Sequence, residues 1–175
     1  MKSNIALIGF MGTGKTAVGK MLAEKLNKQF MELDALIEQR TGKTIPEIFQ
    51  QDGEIAFREL EIEATRDAAE RESTVIACGG GVVLNQINID RLRRKSVIVY
   101  LTASPSVILE RTSADTDERP LLVAEDKAAR VAGLLKFRQP FYERAADITV
   151  ETSRLDVGEV VGKIIKKLGR YESTD

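Results

Sequence analysis

The run Gly9-Phe10-Met11-Gly12-Thr13-Gly14-Lys15-Thr16 has the spacing of a loop that wraps phosphate oxygens: glycine, four residues, then glycine, lysine and a hydroxyl. Its chemistry is electrostatic. Glycines let the backbone curl until successive N–H groups point inward at an anion, and a helix opening near Lys15 adds the positive end of its dipole. In such a loop Lys15 reaches the β- and γ-phosphates of ATP, and the Thr16 hydroxyl is offered to Mg²⁺. Gly12, Thr13, Gly14, Lys15, Thr16 and Ala17 are therefore the candidate nucleotide-binding residues here. A glycine-rich turn fitting the pattern by accident would lack a strand before it and a helix after it. Both are expected here.

Further candidates lie along the chain. Asp34 is expected at the carboxyl end of a second strand, the edge where open α/β sheets bind ligands. A carboxylate there can orient an attacking hydroxyl and take its proton late in the reaction, or simply cap the helix that follows. Arg58 has Glu61 one turn along, which reads as a positioned guanidinium or as a solvated ion pair. Gly79, Gly80 and Gly81 follow a third apolar run, where a ligand can lie against main-chain N–H groups, or where a plain loop sits. Arg119 heads Arg119-Pro120-Leu121-Leu122 and suits a closing lid over a transferring phosphoryl group. Arg138 precedes Pro140, which is expected to bend or end its helix; it can fork onto a carboxylate or cap that helix.

The elements that must hold these residues are legible as apolar periodicity. Strands are expected at 4–8, 29–33, 74–77, 97–101 and 148–150, and helices at 17–26, 55–69, 106–110, 127–136 and 157–168. Residues 36–70 read as nearly all helix with a break at Gly42. The alternation implies an α/β fold with a five-stranded parallel sheet covered on both faces. A chain of 175 residues, 43% of them hydrophobic, suits one domain spanning 1–175. Its formal charge of −1, with Lys/Arg interleaved among Asp/Glu, gives no field for nucleic acid. One cysteine, Cys78, and no histidine exclude an internal disulfide and an ordinary Cys/His zinc cluster. The short apolar run near the N-terminus falls far below the roughly 20 residues that cross a bilayer. A cytoplasmic protein with no membrane partner is expected.

Taken in order, the phosphate loop, Asp34-Ala35-Leu36-Ile37-Glu38, Thr41-Gly42, Phe57-Arg58-x-x-Glu61, Gly79-Gly80-Gly81, Arg119-Pro120-Leu121-Leu122 and Arg138 before Tyr142 resemble shikimate kinase from about Ile5 to Val160. The resemblance implies a P-loop, nucleoside-monophosphate-kinase-like three-layer sandwich, with a substrate-binding segment at about 34–61 and a lid at about 112–124. It implies transfer of the γ-phosphate of ATP to the 3-hydroxyl of shikimate, with Mg²⁺, on the route to aromatic amino acids. Carried over by position, Asp34 binds shikimate hydroxyls and serves as the base, Arg58 and Arg138 bind the carboxylate, and the Gly79–Gly81 stretch offers main-chain contact. Lys15 and Arg119 contact the transferring phosphates, and Arg111 and Arg154 lie near the adenine. Many members of the family carry aspartate where this chain has Glu32, a position that helps hold Mg²⁺ through water.

Other readings of the same residues are a gluconate-kinase-like enzyme of this fold, a nucleoside monophosphate kinase, or a catalytically silent nucleotide-binding module. The paired arginines Arg58 and Arg138 suit a single carboxylate and favour shikimate. A monomer is expected, and the tail 169–175 is expected to be disordered.

Overall fold

The computed structural model describes residues 2–114, 120–123 and 126–172. Strands β1 (Asn4–Ile8), β2 (Gln29–Glu32), β3 (Thr74–Ala77), β4 (Ser96–Thr102) and β5 (Ile148–Glu151) pair in the order β2-β3-β1-β4-β5, all parallel. Around them lie α1 (Lys15–Lys25), α2 (Leu33–Thr41), α3 (Ile45–Gln51), α4 (Gly53–Ala69), α5 (Gln86–Lys95), α6 (Pro105–Ala114), α7 (Lys127–Ala145) and α8 (Val157–Glu172).

The central strands β1, β3 and β4 are largely apolar runs because both of their faces are covered, whereas the edge strands β2 and β5 carry the exposed Gln29, Thr149 and Glu151. Successive side chains alternate between two cores. Ala6, Ile8, Ile76, Ile98 and Tyr100 point to one face, against Leu33, Ile37, Phe57, Ile89, Leu92 and Tyr142 of the helices there. Ile5, Leu7, Val75, Val97, Val99 and Leu101 point to the other, against Val18 and Leu22 of α1 and Val161 and Ile164 of α8. The result is the expected three-layer arrangement.

Several local expectations change. β2 ends at Glu32, and Asp34 sits inside the first turn of α2, whose N-cap is Glu32, so Asp34 is not the cap. The helical stretch breaks at both ends of α3. Gly42 and Gly53 take positive φ there, and Thr44 and Glu47 form a capping box. α5 has no counterpart in the sequence reading; its polar run hides Ile89 and Leu92, buried one turn apart. Thr112 to Ala114, at the start of the expected lid, lie in the last turn of α6. Pro140 neither ends α7 nor leaves Arg138 as a cap: the helix runs on to Ala145, because Tyr142 and Ala145 are buried against the core. The expected disordered tail begins too early, since α8 extends through Glu172 with Tyr171 packed against the second core. Residues 173–175 and, within the expected lid, residues 115–119 with Arg119 and residue 124 lie outside the described residues.

The phosphate loop starts where β1 leaves the sheet, and its first glycine touches a neighbouring strand. Gly9 has φ 149°, and a Cβ there would stand 2.4 Å from the Leu101 carbonyl oxygen of β4. Gly133, by contrast, lies in α7 with open space around it. Gly9→Ala is expected to lower stability by roughly 3 kcal/mol. Gly133→Ala should raise it by about 0.5–1 kcal/mol. Urea midpoints of the two variants, read at unchanged slope, check both.

Candidate active site

The carboxyl ends of β1, β2 and β3 open into a cleft of about 1050 Å³, walled on one side by the phosphate loop and on the other by α2, α3 and α4. At the phosphate end Gly14, with φ 92°, is the N-cap of α1 and turns the chain into the helix. The Lys15 amine donates to the carbonyls of Gly9 at 2.8 Å and Phe10 at 2.9 Å, which folds it back over the loop. The Thr13 hydroxyl donates to the Phe10 carbonyl and is buried beneath the loop rather than lining the cleft. Gly12, Gly14, Lys15, Thr16 and Ala17 all line it.

The Thr16 hydroxyl donates to Glu32 Oε1 at 2.5 Å, which leaves the lone pairs of the Thr16 oxygen for another partner. Among the described residues no group of three or more His, Cys, Asp or Glu converges to hold an ion. One hydroxyl and one carboxylate suit an ion that draws most of its ligands from phosphate oxygens and water, as Mg²⁺ does.

Behind the loop, Arg111 of α6 donates to the Gly12 carbonyl at 3.1 Å and to Thr152 at 3.2 Å. Thr152 in turn donates to the carbonyls of Thr102 and Thr13. Thus Arg111 lines the cleft and also braces the loop. Arg154 is exposed after β5 and is not brought into the cleft.

At the opposite end, charged groups from three helices meet the glycines after β3. Arg58 and Glu61 of α4 pair at 2.9 Å, with Glu61 fully buried and Glu54 holding the other side of the guanidinium at 3.1 Å. This is a buried pair, not the solvated one that spacing alone suggests. Arg138 of α7 is also buried, its guanidinium 5.8 Å from the centre of the Phe10 ring. A Cβ on Gly79 would lie 2.9 Å from Glu61 Oε2 and 3.1 Å from Asp34 Oδ1, so only glycine lets the backbone pass between these carboxylates.

The groups here are short of partners. Asp34 Oδ1, Glu61 Oε2, Arg58 Nε, and Nε and Nη1 of Arg138 are buried without a hydrogen bond. Burial raises the pKa of Asp34; the Lys15 charge opposes this, while Glu32 and Glu38 add to it. Burial likewise raises that of Glu61, against the pull of Arg58. For Arg58, burial alone would favour the neutral form, but Glu61 and Glu54 more than offset it, and its pKa rises. Burial also pushes the Cys78 thiol up, leaving it un-ionised beside the cleft.

Apart from Arg119, Arg154 and Thr13, the residues singled out from sequence line one cleft. Sequence reasoning missed Thr152 and the apolar wall of Ile45, Pro46 and Phe49. The wall was findable: Thr44-Ile45-Pro46-Glu47 carries both a capping box and a proline suited to a helix start. Nothing local marks Thr152, whose partners are distant in the chain.

Comparison with known proteins agrees with this geometry. A family model described as shikimate kinase matches residues 11–169. A shikimate kinase of Caldanaerobacter subterraneus subsp. tengcongensis is 47% identical over 163 residues, 93% of this chain and 94% of its own. Another, of Thermodesulfovibrio yellowstonii, is 47% identical over 170 residues and 97% of each chain. The structure of shikimate kinase from Acinetobacter baumannii in complex with shikimate superposes with a TM-score of 0.92 at 38% identity, covering 96% of this chain and 93% of that one. With the motif order, the parallel sheet and the cleft in agreement, the chain belongs to the shikimate kinase family.

Proposed function

We propose that the protein transfers the γ-phosphate of ATP to the 3-hydroxyl of shikimate, giving shikimate 3-phosphate and ADP on the route to aromatic amino acids. The observation that carries this reading is the set of unpartnered buried atoms on Asp34, Arg58, Glu61 and Arg138. Together they offer guanidinium donors to a carboxylate and carboxylate acceptors to hydroxyls, which is the complement of a small polyhydroxy acid.

In this reading the phosphate loop and the start of α1 hold the nucleotide, and Lys15 shifts from its carbonyl partners onto the transferring phosphoryl oxygens. Asp34 accepts the hydrogen bond of the attacking hydroxyl, aims it in line with the γ-phosphorus and takes its proton late. Arg58, kept charged and oriented by Glu54 and Glu61, and Arg138 hold the carboxylate so that the ring cannot rotate. Thr16, and Glu32 through water, would hold Mg²⁺, which would supply positive charge to the phosphates. Arg119 belongs to the same set as a lid residue contacting the phosphates, and Arg111, which lines the cleft, flanks the adenine. We read the enzyme as a cytosolic monomer; Cys78 is free and buried, which suits a reducing compartment.

The acceptor is tested by coupled ADP release with Mg²⁺ and ATP, comparing shikimate, gluconate, nucleoside monophosphates and no acceptor. Turnover with shikimate that chelation of the metal abolishes is expected; turnover with gluconate or a nucleotide instead would overturn the acceptor.

Asp34→Asn should cut kcat by about 10²–10⁴ with near-normal ATP binding. The same substitution should raise the melting temperature at pH 7. A carboxyl whose folded pKa is raised loses stability as pH climbs through that pKa, so removing the charge relieves the cost. The difference should shrink as pH falls below the ordinary aspartate range, where both folded and unfolded carboxyls are protonated. A variant less stable than wild type at pH 7 contradicts this account.

Arg138→Ala should weaken shikimate binding by about 2–5 kcal/mol and leave ATP affinity near that of wild type, as titration calorimetry would show.

A further inference from the structure

Tyr142 has no part in the reading above, yet it is fully buried beside the acceptor end of the cleft. It lies one turn after Arg138 on α7, so the two side chains share a helix face. Its ring stacks on Tyr100 of β4, with centroids 5.0 Å apart and planes inclined by 19°. Its hydroxyl donates to the carbonyl of Gly80. Burial pushes the Tyr142 hydroxyl above its usual range, so it stays protonated and remains a donor at any physiological pH.

That bond bears on the main chain of the glycine loop. In a trans peptide the carbonyl of one residue and the N–H of the next lie in one plane and point in opposite directions. Holding the Gly80 carbonyl on Tyr142 therefore turns the Gly81 N–H away from α7. That N–H, like those of Gly79 and Gly80, finds no acceptor among the described residues, although all three residues line the cleft. The loop has no side chains to hold it. A Cβ on Gly80 would already stand 3.5 Å from both Arg138 Nη1 and the Met11 nitrogen. Without an anchor, rotation about the glycine dihedrals would cost little, and the N–H groups would have no fixed direction.

We propose that Tyr142 is a positioning residue for the acceptor: its hydroxyl locks the Gly80–Gly81 peptide so that the Gly81 N–H donates to shikimate. Through α7 the side-chain contact from Arg138 and this main-chain contact are set by one rigid element, itself registered on the sheet by the Tyr142–Tyr100 stack. The inference rests on the acceptor reading, and the tests separate the two.

Tyr142→Phe removes only the hydroxyl and keeps the stack. Provided the wild-type enzyme phosphorylates shikimate, the variant is expected to raise the KM for shikimate about tenfold, with the KM for ATP within about twofold of wild type. Tyr100→Phe, which removes a hydroxyl from the other ring, should change neither. A second measurement needs no variant: on titrating shikimate into wild-type protein without nucleotide, the Gly81 amide resonance should shift downfield. An unchanged shikimate KM in Tyr142→Phe overturns the inference. So does an equal rise in both KM values with a lowered melting temperature, which marks a purely structural role, and so does a Gly81 amide that shikimate leaves in place. Wild-type enzyme that does not use shikimate overturns the acceptor reading and this inference with it.

Discussion

Buried charge whose hydrogen-bonding capacity the protein fills only in part is the constraint around which this molecule is built. Asp34, Arg58, Glu61 and Arg138 are enclosed with hydrogen-bonding atoms unsatisfied, and each such ion costs several kcal/mol relative to water. The Arg58–Glu61 pair offsets part of that cost. The remainder is carried by the two apolar faces of the sheet, whose central strands β1, β3 and β4 are almost wholly buried. The charged groups are fixed by helices that cannot yield cheaply. α2 is anchored by Leu33 and Ile37, α4 by Phe57 and Ala64, and α7 by Val131 and Tyr142, all in one core. A site held open this way is pre-organised: a ligand that supplies the missing partners gains interactions without having to order the groups that make them.

The two cores divide the chemical task. α1, which carries Lys15 and Thr16, packs with α8 on one face, while the acceptor-binding helices pack on the other. β1 lies at the centre of the sheet and contributes alternate residues to both. Both halves of the cleft therefore converge at its carboxyl end, where Gly9 presses against the β4 backbone. This is why the charge of Lys15 acts on Asp34 across the cleft although the two sit on opposite layers.

Most of the succession of strands and helices along the chain, and most of the residues that line the cleft, were legible because both follow from short-range rules. A phosphate loop needs a strand before it and a helix after it, and a strand buried on both faces must be an unbroken apolar run. What escaped notice followed from contacts between distant segments. The ten-residue helix α5 looks polar throughout, because its basic end serves other helices: Arg91 donates to the Ile62 carbonyl of α4, and Arg93 to the Ala145 carbonyl at the end of α7. Thr152 meets the phosphate loop only by being buried between Thr13 and Thr102. Arg58 and Glu61 have the spacing of countless surface pairs, and only the packing of α4 against α2 and α5 turns that spacing into a buried pair. Asp34 was placed at the correct edge for a partly wrong reason, since the strand stops earlier and the residue belongs to a helix.

The clearest conflict between local rule and tertiary demand is Pro140. A proline inside a helix removes one backbone hydrogen bond and crowds the carbonyl one turn earlier, at a cost of about 3 kcal/mol, so a break there is the sound reading from sequence. A break would separate Arg138 from Tyr142. Continuity places the two on one face, the first with its guanidinium over Phe10 of the phosphate loop and the second against Gly80 and Tyr100. The burial of Tyr142 and Ala145 beyond the proline is what offsets the lost bond, because an aromatic side chain removed from water contributes about as much as the proline costs. The helix persists through Pro140 because both ends are fastened, and that fastening carries the register of the sheet into the acceptor end of the cleft.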